Sequence, residues 1–147
     1  MLARSMAASA DYGVIDTPGL LDSPELASAL NVADTVVIPV RASRPDMESM
    51  GDCIKTVAGV KRIRPHMRVI VVQAMTPTNP FMHKEVDEYR EALAKVKGIE
   101  LAPVELKERK VYRDAILAGK GVVELANVQA KAEMDAFINF LLQGGSQ

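Results

Sequence analysis

The chain has 147 residues, of which 25% are charged. Its formal net charge of −1 predicts no nucleic-acid partner from overall charge, although a local basic patch could still bind one. Hydrophobic residues make up 48% and aromatic residues only 4%, which predicts a single domain over residues 1–147 with an aliphatic core. The single cysteine excludes an internal disulfide, and no apolar run is long enough to cross a membrane, so we expect a cytoplasmic protein with no membrane partner.

Patterns typical of buried strands alternate with helical patterns along the chain. The predicted strands lie at about 12–16, 35–40, 68–73 and 99–104. The predicted helices lie at about 25–32, 46–64, 80–97, 110–118 and 126–142. The second strand is rich in β-branched residues and is expected in the sheet interior, with Pro39 at its very end. Asp46 is expected to cap the second helix, and Gly98 is expected to end the third helix. This alternation predicts an α/β fold, a parallel sheet with helices on both faces.

The carboxyl ends of parallel strands share one edge of the sheet, where α/β proteins bind ligands. Four stretches follow predicted strands and should gather at that edge: Asp16, Arg41–Asp46, Gln73–Asn79 and Glu105–Arg109. We expect any active site to lie there.

The stretch Asp11-Tyr-Gly-Val-Ile-Asp-Thr-Pro-Gly19 is the strongest motif. In phosphate-binding folds an aspartate at the end of a strand commonly orients Mg²⁺ or its water, and the next glycine lets a backbone N–H approach a terminal phosphate. The alternative is that a strand simply ends in a turn-forming D-x-P-G. The partner motif, a P-loop of the form G-x-x-x-x-G-K-[ST], does not occur in the 147 residues.

Basic residues form two clusters in the sequence. They are Lys61, Arg62, Arg64 and Arg68, and then Lys107, Arg109, Lys110 and Arg113. The second cluster lies at the predicted edge and could neutralise phosphates of a nucleotide or of DNA, or be an ordinary solvated face. His66 and His83 have no metal-ligand spacing and are expected at the surface, and Cys53 is expected in the core or at an interface.

The order of these motifs resembles the C-terminal two-thirds of the ParA-type partition ATPases, the deviant-Walker group that includes MinD. The resemblance runs from Tyr12 to about Phe140. Its pieces are the family's Walker B strand and switch at Asp11–Gly19, the next strand and loop at Ala33–Asp46, and the late helix at Val111–Glu124. Each piece alone is a weak match, and together in this order they are specific.

The resemblance implies a three-layer α/β fold of the P-loop NTPase kind, which binds ATP and Mg²⁺ and dimerises around the nucleotide. It assigns roles to matched positions: Asp16 to water-mediated Mg²⁺ binding, Gly19 to sensing the γ-phosphate, Gln73, Leu106 and Lys107 to the border of the adenine pocket, and Arg109, Lys110 and Arg113 to non-specific DNA binding. Members of the family use ATP-dependent DNA binding, and hydrolysis stimulated by a ParB-like centromere-binding partner, to segregate plasmids or chromosomes.

The chain lacks the residues that the family uses for catalysis. The P-loop lysines, the Mg²⁺-binding Ser/Thr and the early catalytic aspartate precede the Walker B strand in the family and do not occur here. We therefore assign no catalytic residue. We expect a truncated or N-terminally incomplete ParA-like partitioning protein with little or no ATPase activity alone. We expect it to form a homodimer, or a heterodimer with a ParA homologue.

Two other functions compete with this interpretation. The first is a non-catalytic interaction or regulatory module that associates with an intact ParA-like homologue. The second is a GTPase, because D-T-P-G also occurs in GTPase switch regions. GTPases select guanine with N-K-x-D after a later strand, whereas here that strand is followed by Gln73-Ala-Met-Thr-Pro-Thr78.

Overall fold

Four parallel strands and five helices form the fold in a computed structural model, which describes residues 10–19 and 21–143. The strands are β1 (Thr35–Val40), β2 (Arg68–Thr76), β3 (Glu100–Leu101) and β4 (Leu106–Lys107). The helices are α1 (Pro24–Leu30), α2 (Arg44–Lys61), α3 (His83–Ala94), α4 (Lys110–Leu117) and α5 (Val128–Leu142), with 3₁₀ turns at Pro80–Met82 and Val122–Glu124. All five predicted helices are present, with their ends shifted by a few residues.

β2 is the central strand of the sheet. It pairs in parallel with β1 from Thr35↔Arg68 to Val40↔Gln73. Its other edge pairs first with β3 and then with β4. The strand predicted at 99–104 is therefore two short strands, and Pro103 lies between them. Proline has no N–H to donate, so the hydrogen-bond ladder cannot run unbroken through this point.

The strand predicted at 12–16 is wrong. These residues lie outside the sheet, and Val14 is 95% and Tyr12 71% exposed. A strand is stabilised by backbone hydrogen bonds to a neighbour and by burial of its side chains, and this stretch finds neither among the described residues. The stretch has the apolar composition of a strand, but composition alone does not supply a neighbouring strand to pair with.

β1 is an edge strand within the described part of the chain, not an interior one as the sequence predicted. The Asp34 carbonyl accepts from the Arg68 N–H at 2.9 Å, so the backbone groups of Asp34 and of every second residue after it point towards β2. Pro39 belongs to the alternate set, and its missing N–H lies at the open edge. That is the position in a sheet that tolerates proline.

Helices cover both faces of the sheet, which confirms the three-layer α/β arrangement. Val69 and Val71 of β2 face the layer of α1, α2 and α3, whereas Ile70 and Val72 face α5 and its buried Phe137. Ile70 and Val71 are fully buried. Each such side chain stabilises the fold by about 1.5–3 kcal/mol.

The helix ends follow local capping. Ser43 caps α2: its Oγ accepts from the Asp46 N–H at 3.3 Å, so Asp46 lies in the first turn and is not the cap that the sequence predicted. Ser23 caps α1 in the same way. Gly98, with φ of 85°, lies in the turn after α3 rather than at its end. No helix in residues 10–19 and 21–143 has the length and apolarity needed to span a bilayer.

Candidate functional site at the carboxyl edge of the sheet

The loops that follow β2 and β4 meet at the carboxyl edge of the sheet. The Glu108 N–H donates to the Thr76 carbonyl at 2.8 Å. The β2–β4 register shifts between Ala74 and Thr76, and the intervening Met75 has a φ of 54°. This bulge places Lys107 opposite Thr76, the last residue of β2.

Four polar side chains gather at this edge, and we call Thr76, His83, Glu105 and Lys107 the rim cluster. Lys107 Nζ lies 3.3 Å from His83 Nε2 and 3.7 Å from Glu105 Oε2. His83 Nε2 also lies 3.0 Å from the Pro77 carbonyl oxygen. A ring nitrogen either donates or accepts, so His83 Nε2 cannot form a hydrogen bond with both the Lys107 ammonium and the Pro77 carbonyl. Either the Lys107 ammonium or the Pro77 carbonyl therefore remains without a hydrogen bond to His83.

Two oxygen atoms of the rim cluster are buried without a hydrogen bond in the described residues, although Glu105 Oε2 lies 3.7 Å from the Lys107 ammonium. Thr76 Oγ1 and Glu105 Oε2 form no hydrogen bond within the described residues, and Thr76 is 1% exposed. A buried polar atom left in this state costs about 1–3 kcal/mol. A hydroxyl, a carboxylate and a cation at one edge can bind a polar planar group, but they contain no nucleophile activated by an adjacent base.

Asp16 and Gly19 do not join the rim cluster. Both are exposed, in the stretch that lies outside the sheet, and a Cβ built on Gly19 would meet no further atom within 4 Å. Across the described ranges, no group of three or more His, Cys, Asp or Glu side chains could hold a metal ion.

Gln73 is fully buried, and its side chain is held by hydrogen bonds within the fold. It is 0% exposed, and its Nε2 donates to the Val86 carbonyl at 3.0 Å. Its Oε1 accepts from Arg90 Nη1 at 3.2 Å, and Arg90 Nη2 donates to the Ala102 carbonyl at 2.9 Å. Both ends of the amide therefore hold α3 against the sheet. Leu106 and Lys107, predicted beside Gln73, lie nearer the edge and are half-buried.

The three predicted DNA-binding cations differ in their surroundings. Arg109 is 17% exposed and binds Glu133 through two nitrogens, with Nη2 2.5 Å from Oε1 and Nε 3.3 Å from Oε2. The hydrogen bond to Glu133 raises the pKa of Arg109 above its usual value. Lys110 is 80% exposed and lies 3.7 Å from Asp114, and Arg113 is exposed. Only Lys110 and Arg113 present their charge to solvent.

Several polar residues of this region have no clear signal in the sequence. His83, expected at the surface, is half-buried in the rim cluster. Glu133 also accepts from the Lys107 N–H at 3.3 Å, although it lies on the closing helix α5. Tyr112 has a buried hydroxyl without a partner in the described part of the chain, and burial, followed by the charge of Glu133, raises its pKa. These contacts join distant segments, and local patterns do not reveal them.

Comparison with known proteins finds a distant similarity. The chain is 24% identical over 115 residues to Maintenance of carboxysome distribution protein A of Halothiobacillus neapolitanus. The aligned region covers 78% of this chain and 51% of the relative, so the chain spans about half the length of the curated protein it matches. No protein-family model matches the chain.

Proposed function

We propose that the chain is part of a ParA-like positioning protein, which distributes a cargo such as a plasmid, a chromosome or a large protein body within the cell. The observation that carries the proposal is the similarity over 78% of the chain to a protein named for the distribution of carboxysomes. The three-layer parallel fold and the order of the sequence motifs agree with a ParA/MinD-like relationship.

ATP and Mg²⁺ are the ligands that this relationship implies, and the chain fits them only in part. The rim cluster offers Thr76 Oγ1 and Glu105 Oε2, neither of which forms a hydrogen bond within the described residues, beside Lys107, and these groups suit the polar edge of a base. The triphosphate and its Mg²⁺ need a P-loop, and the 147 residues contain no such motif. Asp16 is exposed and separate from the rim cluster. The chain alone therefore does not hydrolyse ATP in this proposal.

The proposed protein works beside other chains. It forms a homodimer, or a heterodimer with a ParA homologue that supplies a P-loop, and responds to a ParB-like centromere-binding partner. Lys110 and Arg113 are the candidates for non-specific DNA contact, because both are exposed. Arg109 forms an ion pair with Glu133 and is therefore not a candidate for direct DNA contact in this proposal.

A second candidate function is a non-catalytic module that binds an intact ParA-like homologue without nucleotide. The edge of β1 that has no neighbouring strand in the described part of the chain favours it, because Thr35 and Val37 point their backbone groups away from β2. An unpaired strand edge can accept a strand from another chain.

The two functions differ in their nucleotide dependence. The purified chain is mixed with a ParA homologue from the same cell, and the mixture is separated by size with and without ATP and Mg²⁺. Co-elution only with ATP supports the positioning protein, whereas co-elution without nucleotide supports the interaction module. Deletion of the gene should leave plasmids or protein bodies unevenly distributed under the microscope. Normal distribution together with no co-elution would contradict both functions.

A further inference from the structure

A groove of about 200 Å³ lies at the amino edge of the sheet, between the last turns of α2 and the turn that precedes β3. Its floor is apolar and includes Val57 and Val69, each 2% exposed. Val69 is the second residue of β2 and Thr76 its last, so the groove and the rim cluster lie at opposite ends of this strand. We call this surface the amino-edge groove.

Three cations line the amino-edge groove, and no acidic residue does. Lys61 Nζ donates to the Gly98 carbonyl at 3.2 Å. Arg62 and Lys97 are exposed, and neither is within 4.0 Å of a carboxylate in the part of the chain that the structure describes. Arg62 and Lys97 therefore carry charge beside this apolar floor without an ion-pair partner among the described residues.

The neighbouring carboxylate is already engaged. Arg68 is the main partner of Glu100, with Nη2 2.6 Å from Oε2, and the charge of Lys61 is the last of the causes that lower the pKa of Glu100. The hydrogen bond from Arg68 is the largest cause of the lowered pKa of Glu100. Arg62 and Lys97 are exposed, and Glu100 does not pair with either of them.

We propose that the amino-edge groove binds an acidic peptide segment of a partner protein, with an aliphatic side chain on the apolar floor and carboxylates beside Arg62 and Lys97. Charge complementarity selects this occupant, because the groove combines unpaired cations with buried aliphatic surface. A nucleic acid would use the cations but leave the aliphatic floor uncovered, and no aromatic residue is present for base stacking. The proposal does not depend on nucleotide binding at the carboxyl edge.

The test is a fluorescence-anisotropy titration of the full chain with a labelled synthetic peptide in which Glu and Leu are arranged along one amphipathic helix. A matched peptide with Lys in place of Glu serves as the control probe. The Glu–Leu peptide should bind, with an affinity that falls as salt rises, and the Lys–Leu peptide should not. A double variant, Arg62→Glu with Lys97→Glu, should weaken binding by roughly tenfold or more.

Two further variants separate the groove from general charge. Ala58 is an exposed wall residue, and Ala58→Glu should block the groove without touching the core. The double variant Lys120→Glu with Lys131→Glu makes the same charge change at exposed positions outside the groove and should leave binding within about twofold of the unchanged chain.

Three results would overturn the proposal. The first is equal loss of binding in the groove and control variants, and the second is equal binding of the Lys–Leu peptide. The third is a dimer of this chain, detected by sedimentation, that dissociates in the Arg62→Glu, Lys97→Glu variant, since the occupant would then be a second copy. Circular dichroism of each variant checks that it remains folded.

Discussion

Arg90 on α3 donates to the side-chain oxygen of Gln73 on β2 at 3.2 Å, and this partly buried bond joins the helix to the central strand. Gln73 also donates to the Val86 carbonyl, and Arg90 to the Ala102 carbonyl. The pair thereby connects α3 to β2 and to the segment after β3. Gln73, which ends an apolar run in the sequence, thus has a structural role, because its side chain links α3 to β2.

Gln73→Leu should destabilise the fold by about 1–3 kcal/mol, because it removes the hydrogen-bond donor of the buried Val86 carbonyl and the acceptor of a partly buried Arg90 nitrogen. Urea denaturation followed by circular dichroism measures the change. Gln143→Leu, an exposed glutamine at the end of α5, is the matched control and should change stability by less than about 0.5 kcal/mol. Equal stability of the two variants would mean that the buried bonds contribute nothing.

Arg109→Ala should lower the free energy of unfolding by about 1–3 kcal/mol, because Glu133 would lose its cation in a setting where its side chain is only 15% exposed. Thermal denaturation measures this loss. Arg113→Ala removes an exposed cation of the same type and should change stability by less than about 0.5 kcal/mol.

For DNA binding, in contrast to stability, Arg113→Ala should have a larger effect than Arg109→Ala. If the chain binds DNA without sequence preference, Arg113→Ala should reduce the salt dependence of binding by about one phosphate contact. Arg109→Ala, measured below its melting temperature, should leave that salt dependence unchanged because its charge is already held by Glu133. A larger effect of Arg109 than of Arg113 on the salt dependence would restore Arg109 as a direct phosphate contact.

Local signals in the sequence were sufficient to predict where the helices lie, because the start of a helix depends on residues close to it in the chain. Ser23 and Pro24 begin α1 as predicted. The start of α2 was displaced only because Ser43 and Asp46 can both cap and the serine does so. Capping acts over three or four positions and is therefore readable from the chain.

The pairing of strands in the sheet could not be predicted from local sequence in the same way. Residues 12–16 and β1 both have strand composition, but only β1 finds a neighbour among the described residues. Arg109 could not be separated from its exposed neighbours, because its partner Glu133 lies 24 positions away on another element. Contacts of this range depend on the whole fold and have no local sequence signature.

The Arg68–Glu100 ion pair predicts an acid-sensitive contribution to stability. Arg68, chiefly by its hydrogen bond, lowers the pKa of Glu100 in the folded protein below its unfolded value of about 4.3. The stabilisation is therefore complete above about pH 4.3 and is lost as the pH falls from there through the lower folded pKa. Its size should be below about 1 kcal/mol, because 44% of the Glu100 side chain is exposed.

The measurement is a series of urea denaturations between neutral and acid pH. Glu100→Gln should flatten the fall in stability at acid pH relative to the unchanged chain. Glu108→Gln, at an exposed position, is the control and should preserve it. If both variants show the same acid dependence as the unchanged chain, the folded pKa of Glu100 is not lowered.

Thr76→Val separates stability from ligand binding at the rim cluster. Thr76 Oγ1 is buried without a hydrogen-bond partner in the described residues, so replacing the hydroxyl by a methyl group of similar size should raise the free energy of unfolding by up to about 1 kcal/mol. If the hydroxyl contacts a nucleotide base, the same variant should weaken nucleotide binding in the complex with a ParA homologue, measured with a fluorescent ATP analogue. Thr56→Val, at an exposed position on α2, controls for the substitution itself. A gain in stability with unchanged nucleotide affinity would remove Thr76 from the site, whereas a loss of stability would mean that its hydroxyl already has a partner within the fold.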